Sequence, residues 1–290
     1  MIALAAAVAP GPFAPTPARA DAPAKKARKQ APPPPLDGAT IDFAYDGRDV
    51  GHPERAHFGR VFVPARAAAD PKAPRPLLVY LHGMNRDLVK YRFMGGSGPG
   101  EDDVRRIVAG LVDRGAVPPL VLAAPSSVQP EAIATAETSW PSFDLDRFLV
   151  QTLRAIGGAA TIDLDRVVVA GHSGAACNPT GGLFTAMQAV TRPHAVVFID
   201  TCLPGDLPGR MVRAAPTTHV IATYQTTAWD DRPFADTKRA FAREVAARPA
   251  PKGVFREIEE LRPAEPMPHN AMVRLTLDRW LPRLLAGDAR

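Results

Sequence analysis

Ser173 stands in Gly171-His172-Ser173-Gly174-Ala175, directly after the run Val167-Val168-Val169-Ala170. A serine hydroxyl becomes a useful nucleophile only where it protrudes far enough for a base and an electrophile to reach it together. A buried strand that turns sharply into a helix presents it in that way, provided the neighbours in the turn are small. Gly171 and Gly174 meet that need, and Ala175 is still small enough for a helix to pack closely on a strand. The pattern predicts strand, tight turn and helix, with Ser173 at the turn. Taken alone, the same residues also suit an ordinary strand-to-helix turn.

The elements that must position this serine follow from apolar patterning. Thr40 to Tyr45 and Phe58 to Val63 read as two opening strands, which can run antiparallel to the rest. Pro76 to Leu81 is a continuous apolar run, the signature of a strand covered on both faces. Val104, Ile107, Val108 and Leu111 share one face of a helix spanning Glu101 to Arg114, with Gly115 as its stop. Pro119 to Ala124 is the next strand. Ser142 is placed to cap a helix through Leu145, Phe148, Leu149 and Leu153 that ends at Gly157-Gly158. Strands over His194 to Asp200, His219 to Tyr224 and Val254 to Leu261 follow, and a terminal helix carries Leu275, Leu277, Trp280 and Leu281. After Ser173, Pro179 and Gly181-Gly182 predict that the helix breaks or restarts. This alternation implies an α/β fold with a doubly wound, mainly parallel sheet and helices on both faces.

At Gly171 to Ala175 the sequence resembles the α/β-hydrolase family, with Ala175 where the usual pattern has a last glycine. From about Leu77 onward the order of features is similar too. The strand end His82-Gly83-Met84 resembles the family's oxyanion loop, which implies backbone N–H donors from Met84 and from Gly174. The family order of serine, acid and histidine implies an acid after a late strand. Asp230 is placed first, with its neighbour Asp231 and with Asp200, at the end of an earlier strand, as the alternatives. Of the seven histidines, His269 alone lies after every candidate acid, so the resemblance assigns it the base. His82 precedes the nucleophile on a strand end that already has the oxyanion task, and it reads as a loop-ordering residue. Trp140 lies in a loop at the carboxyl end of the sheet, either lining a substrate cleft or pinning its own loop to the core.

The resemblance implies a serine hydrolase that cleaves a carboxylic ester through an acyl-enzyme on Ser173, with no cofactor and no metal. A peptidase, an amidase or an acyltransferase would use the same three groups. A reading of another class is an exported, non-catalytic binding protein that keeps the fold. No long insertion follows Cys202 to form a large lid, which favours an accessible ester. The glycines from Gly95 to Gly100 are followed by no lysine and read as a rim, not a phosphate cradle.

The remaining signals concern the compartment. The chain has 290 residues, of which 46% are hydrophobic, enough for one catalytic domain over residues 40–290. Ile2 to Ala9 is apolar but too short to span a bilayer, and Ala18-Arg19-Ala20 offers a signal-peptidase site, so residues 1–20 read as a secretory signal. Residues 21–39, with Pro32 to Pro35, read as a tether. Part of the net charge of +5 comes from Lys25, Lys26, Arg28 and Lys29, a basic tail without the interleaved aromatics that nucleic-acid binding needs. The two cysteines, Cys177 and Cys202, fall near neighbouring strand ends of a parallel sheet. They are either a disulfide, which an exported protein can keep, or two buried thiols.

Overall fold

The computed structural model describes residues 34–45, 57–84, 93–95, 102–127, 139–228, 234–263 and 266–286. The proposed signal segment, most of the tether, Gly96 to Gly100, Asp230 and Asp231 lie outside the described residues. Eight strands, counted among the described residues, form one sheet: β1 (Gly38–Tyr45), β2 (His57–Pro64), β3 (Pro74–Leu81), β4 (Val121–Pro125), β5 (Thr161–His172), β6 (Ala195–Ile199), β7 (His219–Tyr224) and β8 (Arg256–Glu260). Their order across the sheet is β1-β2-β4-β3-β5-β6-β7-β8. β1 pairs antiparallel with β2, and β2 with β4; every other pairing is parallel.

The central strands read as unbroken apolar runs because both of their faces are covered. Along β3, Leu77, Val79 and Leu81 enter one core while Leu78 and Tyr80 enter the other. β5 alternates in the same way, with Val167 and Val169 on one face and Val168 and Ala170 on the opposite face. The first face is covered by α3 (Leu145–Ile156) through Phe148 and Leu149, and by α5 (Leu207–Arg213) through Leu207 and Met211. The second is covered by α2 (Val104–Asp113) and by α7 (Pro268–Leu285), which buries Met272, Leu277, Trp280 and Leu281. The shorter α1 (Ala65–Ala68), α4 (Gly182–Ala186) and the helix α6 (Phe234–Ala247) complete the set.

Helix starts follow local capping chemistry. Asp103 caps α2 by accepting the Arg105 N–H at 3.0 Å. α3 is capped by Asp144, which accepts the Arg147 N–H at 3.0 Å, and not by Ser142. Asp144 immediately precedes the first helical residue, where a carboxylate reaches the N–H three residues on, whereas Ser142 lies too far upstream. Gly157 ends α3 at φ 55°, as its position predicts.

The sheet's order matters most between β3 and β5. The chain leaves β3 for β4 on one side and later returns to β5 on the other, so connections diverge at the β3/β5 boundary. Ligand crevices of open α/β sheets form at the carboxyl ends of the strands at such a switch point. Leu81 pairs with Gly171 there, which brings His82-Gly83-Met84 beside His172-Ser173-Gly174.

Candidate active site

Ser173 follows β5 directly and opens a short 3-10 helix (Ser173–Ala176) with its own φ at 54°. A non-glycine residue in that left-handed region carries strain of order 1–3 kcal/mol, held in place only by the surrounding packing. Small neighbours allow the turn. A Cβ at Gly171 would lie 2.7 Å from Ala175 Cβ and 2.9 Å from Leu183 Cγ, so a larger residue would push the next helix off the strand. The helix restarts as α4, beyond Pro179, as the proline and glycines predict.

Gly83 and Met84 lie against this turn. A Cβ at Gly83 would stand 3.0 Å from Ser173 Cβ and 3.5 Å from its Oγ. A Cβ at Gly174 would come within 2.9 Å of the Met84 backbone nitrogen and 3.1 Å of Ser139 Oγ. Close approach of these two backbones requires Gly174 to be glycine. His82 is 2% exposed, and its ring is held at both nitrogens: Nδ1 faces Gly83 O and Nε2 accepts the Ser127 N–H at 3.0 Å.

His269 enters from the first turn of α7, where Pro268 at the first helical position suits the missing N–H there. That helix is fixed by its apolar face, by the Arg274 guanidinium on both Asp102 oxygens at 2.9 and 2.7 Å, and by the Thr223–Thr276 hydroxyl pair at 2.7 Å. His269 Nδ1 donates to Asp200 Oδ2 at 2.6 Å. Asp200 follows β6, its φ is 45°, and its side chain is fully buried. Gln225 holds the same carboxylate, with Nε2 donating to Oδ2 at 2.9 Å and the backbone N–H to Oδ1 at 3.3 Å. Burial alone would push the Asp200 carboxyl up. The hydrogen bonds from His269 and Gln225, with the charge of His269, outweigh it and hold the group below its ordinary value.

Of the three candidate acids, Asp200 is therefore the one seen on His269, while Asp230 and Asp231 lie outside the described residues. Trp140 takes the anchoring role and not that of a cleft wall. It is 1% exposed, its indole N–H donates to His82 O at 2.9 Å, and its ring meets Phe143 edge-on. An indole in the core satisfies its one donor in this way. Cys177 and Cys202 form a disulfide, with Cα atoms 4.9 Å apart, joining the turn after Ser173 to the segment after Asp200. Reading along the chain did not single out Gln225. The signal was there: a polar residue immediately after a buried strand, at the sheet end where Ser173 and Asp200 also stand.

No protein-family model matches the chain, and no curated protein does. Among solved structures, a ferulic acid esterase superposes with a TM-score of 0.57 at 14% identity, over 87% of this chain and 99% of its own. A ferulic acid esterase from Anaeromyces mucronatus, in complex with ferulic acid, gives 0.53 at 12% identity over 88% and 95% of the two chains. An IroE-like serine hydrolase from Shewanella oneidensis gives 0.52 at 16% identity over 86% and 80%. At these identities the likeness is one of fold.

Proposed function

We propose that this chain, which has the α/β-hydrolase fold, is a serine hydrolase that cleaves carboxylic esters. The observation that carries the reading is the 2.6 Å hydrogen bond from His269 Nδ1 to the buried Asp200 carboxylate, at the same sheet end as a serine held at φ 54°. In the proposed reaction His269 Nε2 takes the Ser173 proton as Oγ attacks the ester carbonyl. The Met84 and Gly174 N–H groups receive the negative oxygen of the tetrahedral intermediate, each worth roughly 3 kcal/mol in the barrier. Collapse expels the alcohol, which takes its proton from His269, and water then repeats the sequence on the acyl-enzyme. Asp200, kept ionised by its hydrogen bonds, orients the imidazole and compensates its charge in both halves.

The names of the structural neighbours, two ferulic acid esterases and a serine hydrolase, support an ester as the bond cleaved. The disulfide supports an exported enzyme, because such a bond persists in oxidising compartments. No described helix is long and apolar enough to cross a membrane.

Labelling of the purified chain with a fluorophosphonate probe tests the reading. Wild type should label and hydrolyse p-nitrophenyl esters, while Ser173→Ala and His269→Ala should lose both and still fold. A well-folded wild type that neither labels nor turns over any ester in a panel of acyl lengths would overturn the mechanism and favour the non-catalytic binding protein.

A further inference from the structure

Among the buried histidines that the proposed mechanism leaves unused, His172 lies against the base. His172 immediately precedes the nucleophile, is 6% exposed, and points towards the base instead of away from it. Its Nε2 lies 3.0 Å from the backbone carbonyl of His269, and since a carbonyl only accepts, Nε2 carries the proton and donates. Its ring also lies over the His269 imidazole, with centroids 4.4 Å apart and planes tilted by 34°.

We propose that His172 is a positioning residue that sets the base against the nucleophile, a role that rests on the serine-hydrolase reading above. Asp200 fixes one edge of the His269 imidazole through Nδ1, and a hydrogen bond at one ring atom does not by itself set the plane of the ring. His172 supplies two further constraints: one on the ring's face, the other on the backbone from which the ring hangs. It can do so because its own backbone is rigid. Its φ and ψ are −106° and 142°, and it pairs with Ile199 in the β5/β6 register. The next residue along each strand is Ser173 on one and Asp200 on the other. One side chain thus ties the serine strand to the helix carrying the base, and the acid extends from the adjacent strand. A flat ring with a donor at its far nitrogen meets both demands, whereas an aliphatic residue of similar volume meets neither.

The test measures kcat and KM on a p-nitrophenyl ester for His172→Ala, His172→Phe and His172→Gln, each normalised to the sites titrated by the fluorophosphonate probe. Misplacement of a catalytic group by about 1 Å costs on the order of 100-fold. His172→Ala is therefore expected to lose roughly 10- to 100-fold in kcat with KM within about twofold of wild type. His172→Phe keeps a ring against His269 and His172→Gln keeps a donor at a similar reach, so each should recover part of that loss. A merely structural histidine would instead lower the number of titratable sites and the melting temperature, with turnover per site unchanged. If His172→Ala does not fold, the Phe and Gln variants carry the same comparison. Wild-type turnover per site in all the variants that fold overturns the role of His172 and leaves the serine-hydrolase reading standing. A wild type that does not label overturns both.

Discussion

The two ends of the sheet each carry a close pair of histidines, and the pairs differ in what surrounds them. At the carboxyl end His172 and His269 have ring centroids 4.4 Å apart; at the amino end His194 and His219 are 4.8 Å apart. The amino-end pair hydrogen-bonds to backbone groups: His194 Nε2 donates to Leu284 O at 2.8 Å, and the Phe255 N–H donates to His219 Nδ1 at 2.9 Å. Burial pushes His219 down to about 4, and the positive charges of His194 and Arg256 add to it. That ring is held neutral and closed off. At the carboxyl end a buried carboxylate faces His269, whose side chain is 23% exposed. The same residue type becomes a candidate base only where a compensating charge and an open side coexist.

The largest effect that would break this comparison is expected at the acid. Asp200→Asn should lower kcat about 10⁴-fold, because the amide no longer compensates the imidazolium or holds the reactive tautomer. Asp230→Asn and Asp231→Asn should stay near wild type. Steady-state kinetics on the three variants decides between them, and a large loss at Asp230 with a small one at Asp200 would reassign the acid.

Next in size is the disulfide, which ties together only the carboxyl end. A bridge closing a 25-residue separation is worth roughly 3 kcal/mol. Cys177→Ala with Cys202→Ala should lower the unfolding free energy in urea by about that amount. An unchanged midpoint would show that the segments after Ser173 and Asp200 are held by packing alone.

The smallest expected effect sharpens the comparison from the amino end. His219 has a folded value near 4 against an ordinary 6.5, so below pH 6.5 the unfolded chain takes up a proton that the folded chain refuses. The stability it contributes is present above 6.5 and lost as pH falls through 4, at no more than about 1.4 kcal/mol for each pH unit inside that window. His219→Asn keeps an acceptor for the Phe255 N–H without titrating. Its unfolding free energy should therefore fall less steeply than that of wild type between those values. Parallel curves would mean that His219 is charged in the fold.

The fold was legible to the extent that it rests on local pattern. The unbroken apolar runs of β3 and β5, the alternation in β1 and the glycine stop of α3 each appear in the chain as the elements they form. The chain offers both Ser142 and Asp144 ahead of α3, and since serine and aspartate cap alike, only the helix's first residue separates them. The sequence around Trp140 suits two roles. A loop tryptophan looks the same from the chain whether its ring meets solvent or, as here, Phe143 and His82.

By itself the sequence determined that a serine would stand in a tight, small-residue turn after a buried strand, since such a turn is built by neighbours in the chain. It also determined the alternation of strands and helices, because hydrophobic periodicity is a local property. Which carboxylate meets His269 was decided only in three dimensions. Asp200 and His269 are 69 residues apart, and their hydrogen bond depends on the β5/β6 register and on where α7 packs across the second face. The contact of His172 with His269 is of the same kind, spanning 97 residues. Nothing local to either residue encodes these meetings; they follow from how the whole sheet brings its strand ends together.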